Sequence, residues 1–325
     1  MIFLEILAAI LVAIGLTLAV LSVIGKSRQQ YEEPAPVLAD WMSRVADSAP
    51  LNQIAIPGSH DAGTAGVIWA GETQTYTIEQ QLLCGARYFD LRVHKKDGTF
   101  RIFHALVDGV EFLPILNTLK QFLLNHPTET LLLDFQHFKG DSQRDVFRLL
   151  CDTLGDMIAE NATDLPDPAF IRSLTLGDVR GKCLIFWGDR SENFSPRIFL
   201  RNDNECTFDG MSLDSYYIAP LHRAGTQALL GKAHPIYLAR MRRLKEEGVN
   251  GIFVFQCQLT DGLIVRGPWS RERRHDPIVT DYINGLKNSP DLADLNVIMR
   301  DFLKPRKCAD IIDLNVAKGW MEKEI

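Results

Sequence analysis

Short apolar runs alternate with stretches of helical spacing along most of this chain. The run 130–138 is almost solidly apolar, the pattern of a parallel strand covered on both faces. Other strand-like runs end near Pro57, occupy 87–93, 100–106, 182–187 and 250–258, and finish at 296–302. Helical spacing covers 38–45, 77–83, 112–124, 142–158, 235–247 and 278–286. Parallel strands need crossovers, and helices between buried strands supply them, so the order implies an α/β fold with a parallel sheet. That many strands favours closure into an irregular TIM-type (β/α) barrel. A doubly wound open sheet is the rival, weakened because no GxGxxG or Walker A loop follows any strand.

Residues 6–24 carry no charge, and at about 1.5 Å per residue they would span roughly 28 Å, close to a bilayer core of about 30 Å. This predicts an N-terminal transmembrane helix: 1–25 as anchor, 26–36 as a polar, proline-bearing linker and 37–325 as one α/β body. A cleaved signal peptide and a non-spanning helix are the alternatives. Glu5 before the run and Lys26 and Arg28 after it are the wrong charge order for a cleaved signal. By the positive-inside tendency they slightly favour the cytoplasmic side for the body of a single-pass membrane protein. The six cysteines are scattered without a CxxC pair, so buried free thiols are expected rather than a disulfide scaffold or a zinc site. A formal charge of −6 without a basic block argues against nucleic acid as a partner but leaves a lipid surface open.

The stretch Ile54-Ala-Ile-Pro-Gly-Ser-His-Asp-Ala-Gly-Thr64 sets His60 and Asp61 directly after a short apolar strand, on a glycine-rich turn. Two further strands end in Asp90-Leu91-Arg92 and in His104. Strand ends converge on one mouth of a barrel, so His60, Asp90, Arg92, His104, Asp134, Gln136, Asp189, Gln256 and Asp301 can meet there despite their separation in sequence. Phosphoryl transfer needs a base for the incoming oxygen, an acid for the departing one and positive charge against the equatorial oxygens. His60, His104 and Arg92 are the residue types for those three tasks. Asp301, in the last strand, adjoins the first strand once the barrel closes and could orient His60, while Asp61 and Asp90 could hold His104 protonated. The bland readings are a histidine that caps a turn and an aspartate that caps a strand end. His60, Asp61, Asp90 and Asp134 could also ligate Ca2+ or Mg2+. Arg92, two residues beyond Asp90 on the same strand face, puts a guanidinium where that cation would sit, so no metal cofactor is expected.

These residues resemble the catalytic domain of phosphatidylinositol-specific phospholipase C, the X-domain type. The resemblance rests on Ile56-Pro-Gly-Ser-His-Asp-Ala-Gly-Thr64, Gly85-Ala-Arg-Tyr-Phe-Asp-Leu-Arg92, Phe103-His104, the helix before Asn125-His-Pro-Thr-Glu-Thr130 and Val297-Ile-Met-Arg-Asp-Phe302, all in family order. It implies an irregular barrel that binds an inositol phosphate head group at its mouth. His60 would deprotonate the inositol 2-hydroxyl for attack on phosphorus, and His104 would protonate the departing diacylglycerol oxygen, giving inositol 1,2-cyclic phosphate. Arg92 matches the metal-independent, bacterial-like branch, whereas the calcium-dependent branch has an acidic residue there. Gln136 stands near the place where calcium enzymes carry a glutamate and bacterial ones a lysine. Asp134, Gln136, Asp189, Arg190 and Gln256 are the candidates for contact with the head group of a membrane inositol lipid. Gly188-Asp189-Arg190 departs from the bacterial pattern, and 191–223, with Tyr216, Tyr217 and His222, reads as a lid, a rim or a surface loop. Ile68 and Trp69 are candidates either to dip into lipid or to pack in the core. The competing functions are a metal-dependent phosphodiesterase acting on another phospholipid or a glycerophosphodiester, and a catalytically weak inositol phosphate binding domain.

Overall fold

Strands buried on both faces build the centre of the molecule. The computed structural model describes residues 2–25, 30–140, 142–161, 171, 173–188, 195–202, 212–249, 251–260 and 267–322. Among them ten strands form: β1 (Ile56–Ser59), β2 (Tyr88–Lys96), β3 (Thr99–His104), β4 (Val107–Glu111), β5 (Leu131–Lys139), β6 (Cys183–Trp187), β7 (Ile198–Asn202), β8 (Leu213–Asp214), β9 (Ile252–Gln256) and β10 (Val297–Arg300). Eight of these close a parallel barrel in the order β1, β10, β9, β8, β7, β6, β5, β2 and back to β1. The closed ring excludes the open sheet. β3 and β4 are an antiparallel hairpin added to the outer half of β2.

The helices follow their apolar spacing. They are α1 (Ile2–Gly25), α2 (Ile78–Leu83), α3 (Phe112–Asn125), α4 (Gln143–Leu154), α5 (Ala219–Ala224), α6 (His234–Glu246), α7 (Gly267–Gly285) and α8 (Pro305–Ile312), beside shorter turns. α3 buries Phe112, Ile115, Leu116, Leu119, Phe122 and Leu123, one stripe at helical period. Each such side chain contributes about 1.5–3 kcal/mol when fully buried. α2 starts at a capping box between Thr77 and Gln80. It stops before Gly85, whose φ of 107° favours glycine. Arg87, completely buried just ahead of β2, bonds Glu129 and the carbonyls of Leu82, Ala86 and Ala39.

Several expectations are corrected. The helix expected over 38–45 is two short 3-10 turns, Pro36–Leu38 and Trp41–Arg44, because Trp41 Nε1 and the Met42 N–H are drawn off to Gly85 O and Glu129 Oε2. Part of the stretch 191–223 is barrel wall, since β7 and β8 are both buried, while Tyr216 and Tyr217 beyond them are half-buried. β8 has only two residues, too few for a periodic signal. α7 begins eleven residues before the expected 278, since its many charges hid a face on which Glu272 and His275 are buried. Within 26–36, Tyr31 packs on Tyr76, whose hydroxyl accepts the Glu32 N–H.

The transmembrane anchor is not supported, because among the described residues no helix is long and apolar enough to cross a membrane. Single-pass localisation therefore falls, and with it the cytoplasmic orientation read from Lys26 and Arg28, which lie outside the described residues. The described cysteines, 84, 151, 183, 257 and 308, are free thiols.

Where β9 leaves the barrel, three histidines donate to three successive carbonyls: His234 to Gln256 O, His275 to Cys257 O and His222 to Gln258 O. Burial pushes His222 down to about 4 and His234 down to about 3, and lowers His275 as well. A histidine whose folded pKa is depressed stabilises the fold fully above its unfolded value of about 6.5, and that stabilisation is lost as pH falls toward the folded pKa. Thermal melting should accordingly show a stability loss as pH drops from 6.5 to about 4. His222→Gln should make that slope shallower; an unchanged slope would mean that His222 does not carry it.

Candidate active site

Strand register assembles the mouth. Ser59 pairs with Arg300, so the next residues, His60 and Asp301, leave the barrel side by side, with His60 Nδ1 2.7 Å from Asp301 Oδ1. On the other flank of β1, Ser59 pairs with Phe89, and the following Asp90 pairs with Asp134. β3 then runs back along β2, Val93 opposite Ile102, which returns His104 to the level of the mouth. Between β2 and β5 the register slips: Leu91 pairs with Phe135 but Arg92 with His137. Gln136 is thus the extra residue of a bulge, and its Oε1 accepts from Arg92 Nη2 at 3.4 Å.

Asp61 is the hub of this cluster. Its Oδ2 lies 3.3 Å from His60 Nε2 and 3.3 Å from His104 Nε2, and its Oδ1 lies 2.8 Å from Arg92 Nε. The two imidazole nitrogens are therefore at most twice 3.3 Å apart, within reach of one phosphodiester. Each ring is fixed from behind, His60 Nδ1 by Asp301 and His104 Nδ1 by the carbonyl of Gly71 at 2.8 Å. Asp90 Oδ2 accepts the Asp61 N–H at 3.2 Å and lies 3.5 Å from Arg92 Nη2, so it serves Asp61 and Arg92 rather than His104. The residues that follow His60, His104 and Asp301 all have positive φ without being glycine: Asp61 at 42°, Ala105 at 51° and Phe302 at 47°. Each such turn costs about 1–2 kcal/mol, so the surroundings must enforce it.

Charge dominates the electrostatics. Burial disfavours the charged form of His60, but Asp61, Asp301 and Asp90 outweigh it and raise the imidazole to about 9. Burial also opposes ionisation of Asp61, yet Arg92, His60 and His104 hold its carboxyl well below the usual carboxylate range. Asp134 goes the other way: burial raises it to about 6 despite Arg201.

His60, Asp61, Arg92 and His104 line a cavity of about 240 Å3, with Gln136, Arg201, Tyr217 and Gln256 across from them. Of the expected head-group contacts, Gln136 and Gln256 reach this cavity. The Gln256 amide already donates to Ser215 O and accepts from Gln258 Nε2, so it braces the wall. Asp134 is fully buried against the Tyr88 hydroxyl and Arg201 Nε. Asp189 and Arg190 lie outside the described residues. The sequence reading missed Arg201, for which the only signal was an arginine inside the apolar run Ile198-Phe-Leu-Arg-Asn202. It also missed Thr260, whose hydroxyl meets that of Tyr217. Ile68 is exposed at the rim, whereas Trp69 packs on Gly267.

His60, Asp61 and Asp90 offer ligand atoms within 4.8 Å of one another. A divalent ion fits them poorly, because the Arg92 guanidinium already faces both carboxylates and would repel a second cation.

Residues 47–188 match the family model "Phosphatidylinositol-specific phospholipase C, X domain". The 1-phosphatidylinositol phosphodiesterase of Listeria monocytogenes is 29% identical over 51% of this chain and 52% of its own length. PI-PLC X domain-containing protein 2 of Mus musculus is 34% identical over 31% of this chain and 39% of its own. The chain thus spans about half or less of the curated relatives it matches. The solved phosphatidylinositol-specific phospholipase C of Listeria monocytogenes superposes with a TM-score of 0.61 at 20% identity, covering 86% of this chain and 98% of that one, a likeness of fold.

Because Asp301 is one of three carboxylates that keep His60 protonated, Asp301→Asn should lower the midpoint of the His60 imidazole from about 9 in an NMR titration. An unmoved midpoint would remove Asp301 as its partner. The raised pKa also stabilises the fold fully below about 6.5, a contribution lost as pH rises through about 9.

Proposed function

We propose that residues 37–325 act as one catalytic barrel, a metal-independent phospholipase C that cleaves phosphatidylinositol-type lipids at a membrane surface. The observation that carries this reading is the approach of two imidazole Nε2 atoms to one carboxylate, 3.3 Å each, with a guanidinium on that carboxylate's other oxygen. A binding pocket alone would need no such acid and base pair.

In this mechanism the inositol 2-hydroxyl gives its proton to His60 Nε2 as its oxygen attacks phosphorus. The bond from phosphorus to the diacylglycerol oxygen breaks, and His104 Nε2–H protonates that oxygen as it leaves. The products are inositol 1,2-cyclic phosphate and diacylglycerol. Arg92 balances the charge that develops on the non-bridging oxygens. Asp61 keeps both imidazoles pointed at the phosphate, and Asp301 fixes the His60 ring through Nδ1. Gln136 and Arg201 would contact the head group, with Asp134 orienting Arg201 from beneath. Exposed Ile68 and Leu106, the latter two residues past His104, suit an apolar lipid surface.

The reading is tested by product analysis on phosphatidylinositol vesicles in a chelator, where inositol 1,2-cyclic phosphate should still accumulate. Loss of product on chelation would favour the metal-dependent rival, and absence of product in any ion would favour the binding domain. His60→Ala and His104→Ala should each lower kcat by about 10²–10⁴. Since His60 must shed a proton to serve as base, kcat/KM should climb with pH toward about 9.

A further inference from the structure

The turn that carries Asp301 is held by groups that never touch the cavity. Lys307, in the first turn of α8, is only 2% exposed, and its ammonium donates to Asp301 O at 2.8 Å. Two carboxylates one helical turn apart on α7 grip it from the far side, Glu272 through Oε1 and Asp276 through Oδ1 at 2.9 Å. Asp276 also takes Arg300 Nη2 at 2.6 Å, so the residue just before Asp301 is tied to the same helix.

The backbone beyond Asp301 is pinned as firmly. Phe302 sits at a φ of 47°, a conformation that a bulky residue avoids unless its neighbours enforce it. Its N–H donates to Thr73 O at 2.8 Å, and the next N–H, of Leu303, donates to Gln74 Oε1 at 2.9 Å. Gln74 Nε2 returns to the carbonyls of His60 and Arg300, both at 3.0 Å. Of these ties, the bond to Asp301's own carbonyl comes from Lys307, and it is the one that costs the fold a buried ammonium.

We infer that Lys307 is a positioning residue for the His60–Asp301 pair. Its ammonium, clamped by Glu272 and Asp276, holds the Asp301 carbonyl so that the chain turns left-handed at Phe302 and the Asp301 carboxylate stays on His60 Nδ1. The inference rests on the reading of His60 as the base, but its structural core concerns only where Asp301 points.

The test separates those two parts. Lys307→Met alone would strand Glu272 as a buried carboxylate, so the variant of choice is the double Lys307→Met/Glu272→Gln, which removes both charges together. Two measurements are made on the whole chain: the NMR titration midpoint of His60, and turnover of phosphatidylinositol vesicles, which gives kcat and KM. Asp61 and Asp90 still face His60 in the variant, so its midpoint should fall from about 9 only part of the way to the ordinary value. kcat should drop by about tenfold to a hundredfold with KM little changed, as expected when a catalytic group is misaimed. Glu272→Gln alone, which leaves Asp276 on Lys307, should move both quantities less and in the same direction, and it serves if the double variant does not fold. Folded variants with the wild-type midpoint and kcat would overturn the inference. If the wild-type chain itself turns over no phosphatidylinositol, the functional reading fails while the His60 midpoint still decides the positioning role.

Discussion

Closure of the barrel between β1 and β10 is the constraint on which everything at the mouth depends. Neither strand is long, and both are wholly buried. Their parallel register, Ile56 with Val297 through Ser59 with Arg300, decides that His60 and Asp301 emerge together. A slip of one residue would turn every side chain to the opposite face and break the pair. Gly58 permits this closeness: a Cβ there would come within 3.2 Å of the Met299 backbone and nearer still to Val297 and Tyr88. Asn296 and Asn315 tie down the lower end by donating to the carbonyls of Ile54 and Ala55, just ahead of β1.

Above the seam the barrel concentrates charge in a volume that excludes most water. Asp61, Asp90, Asp134 and Asp301 are all nearly or fully buried, and isolated carboxylates in such a setting would not stay ionised. They are compensated in order: Arg92 spans Asp61 and Asp90, Arg201 meets Asp134, and His60 meets Asp301. At 4 Å a unit pair is worth about 4 kcal/mol at an effective dielectric constant near 20, enough to explain why His60 and Asp61 shift in opposite directions. The three left-handed turns after His60, Asp301 and His104 belong to the same arrangement, since they end strands abruptly and leave those side chains at the rim.

Much of the fold was legible because its signals are local. The apolar run of β5, the helical spacing over 77–83 and the stripe on α3 announced their elements directly. So did the cluster His60, Asp61, Asp90, Arg92, His104 and Asp301, whose residue types suit one reaction and whose strand ends converge in a barrel. Elements without periodicity were misread. β7 and β8 looked like a loop because one is interrupted by Arg201 and the other is two residues long. The face of α7 was hidden because Glu272 and His275 are buried by pairing rather than by apolarity. The apolar N-terminal run invited a spanning helix on hydropathy alone, and among the described residues none long and apolar enough is found.

The amino-acid sequence by itself determined the alternating α/β plan, the identity of the acid, base and cation candidates, and the strand ends on which they sit, because composition and period act within a few residues of each position. Only the tertiary structure decided which of them touch. That Asp61 rather than Asp90 faces both imidazoles, that Gln256 is spent on bracing, and that Arg201 joins the cavity follow from register, a bulge at Gln136 and the packing of distant helices. Those are long-range pairings, and no local pattern encodes which strand lies beside which until the ring has closed.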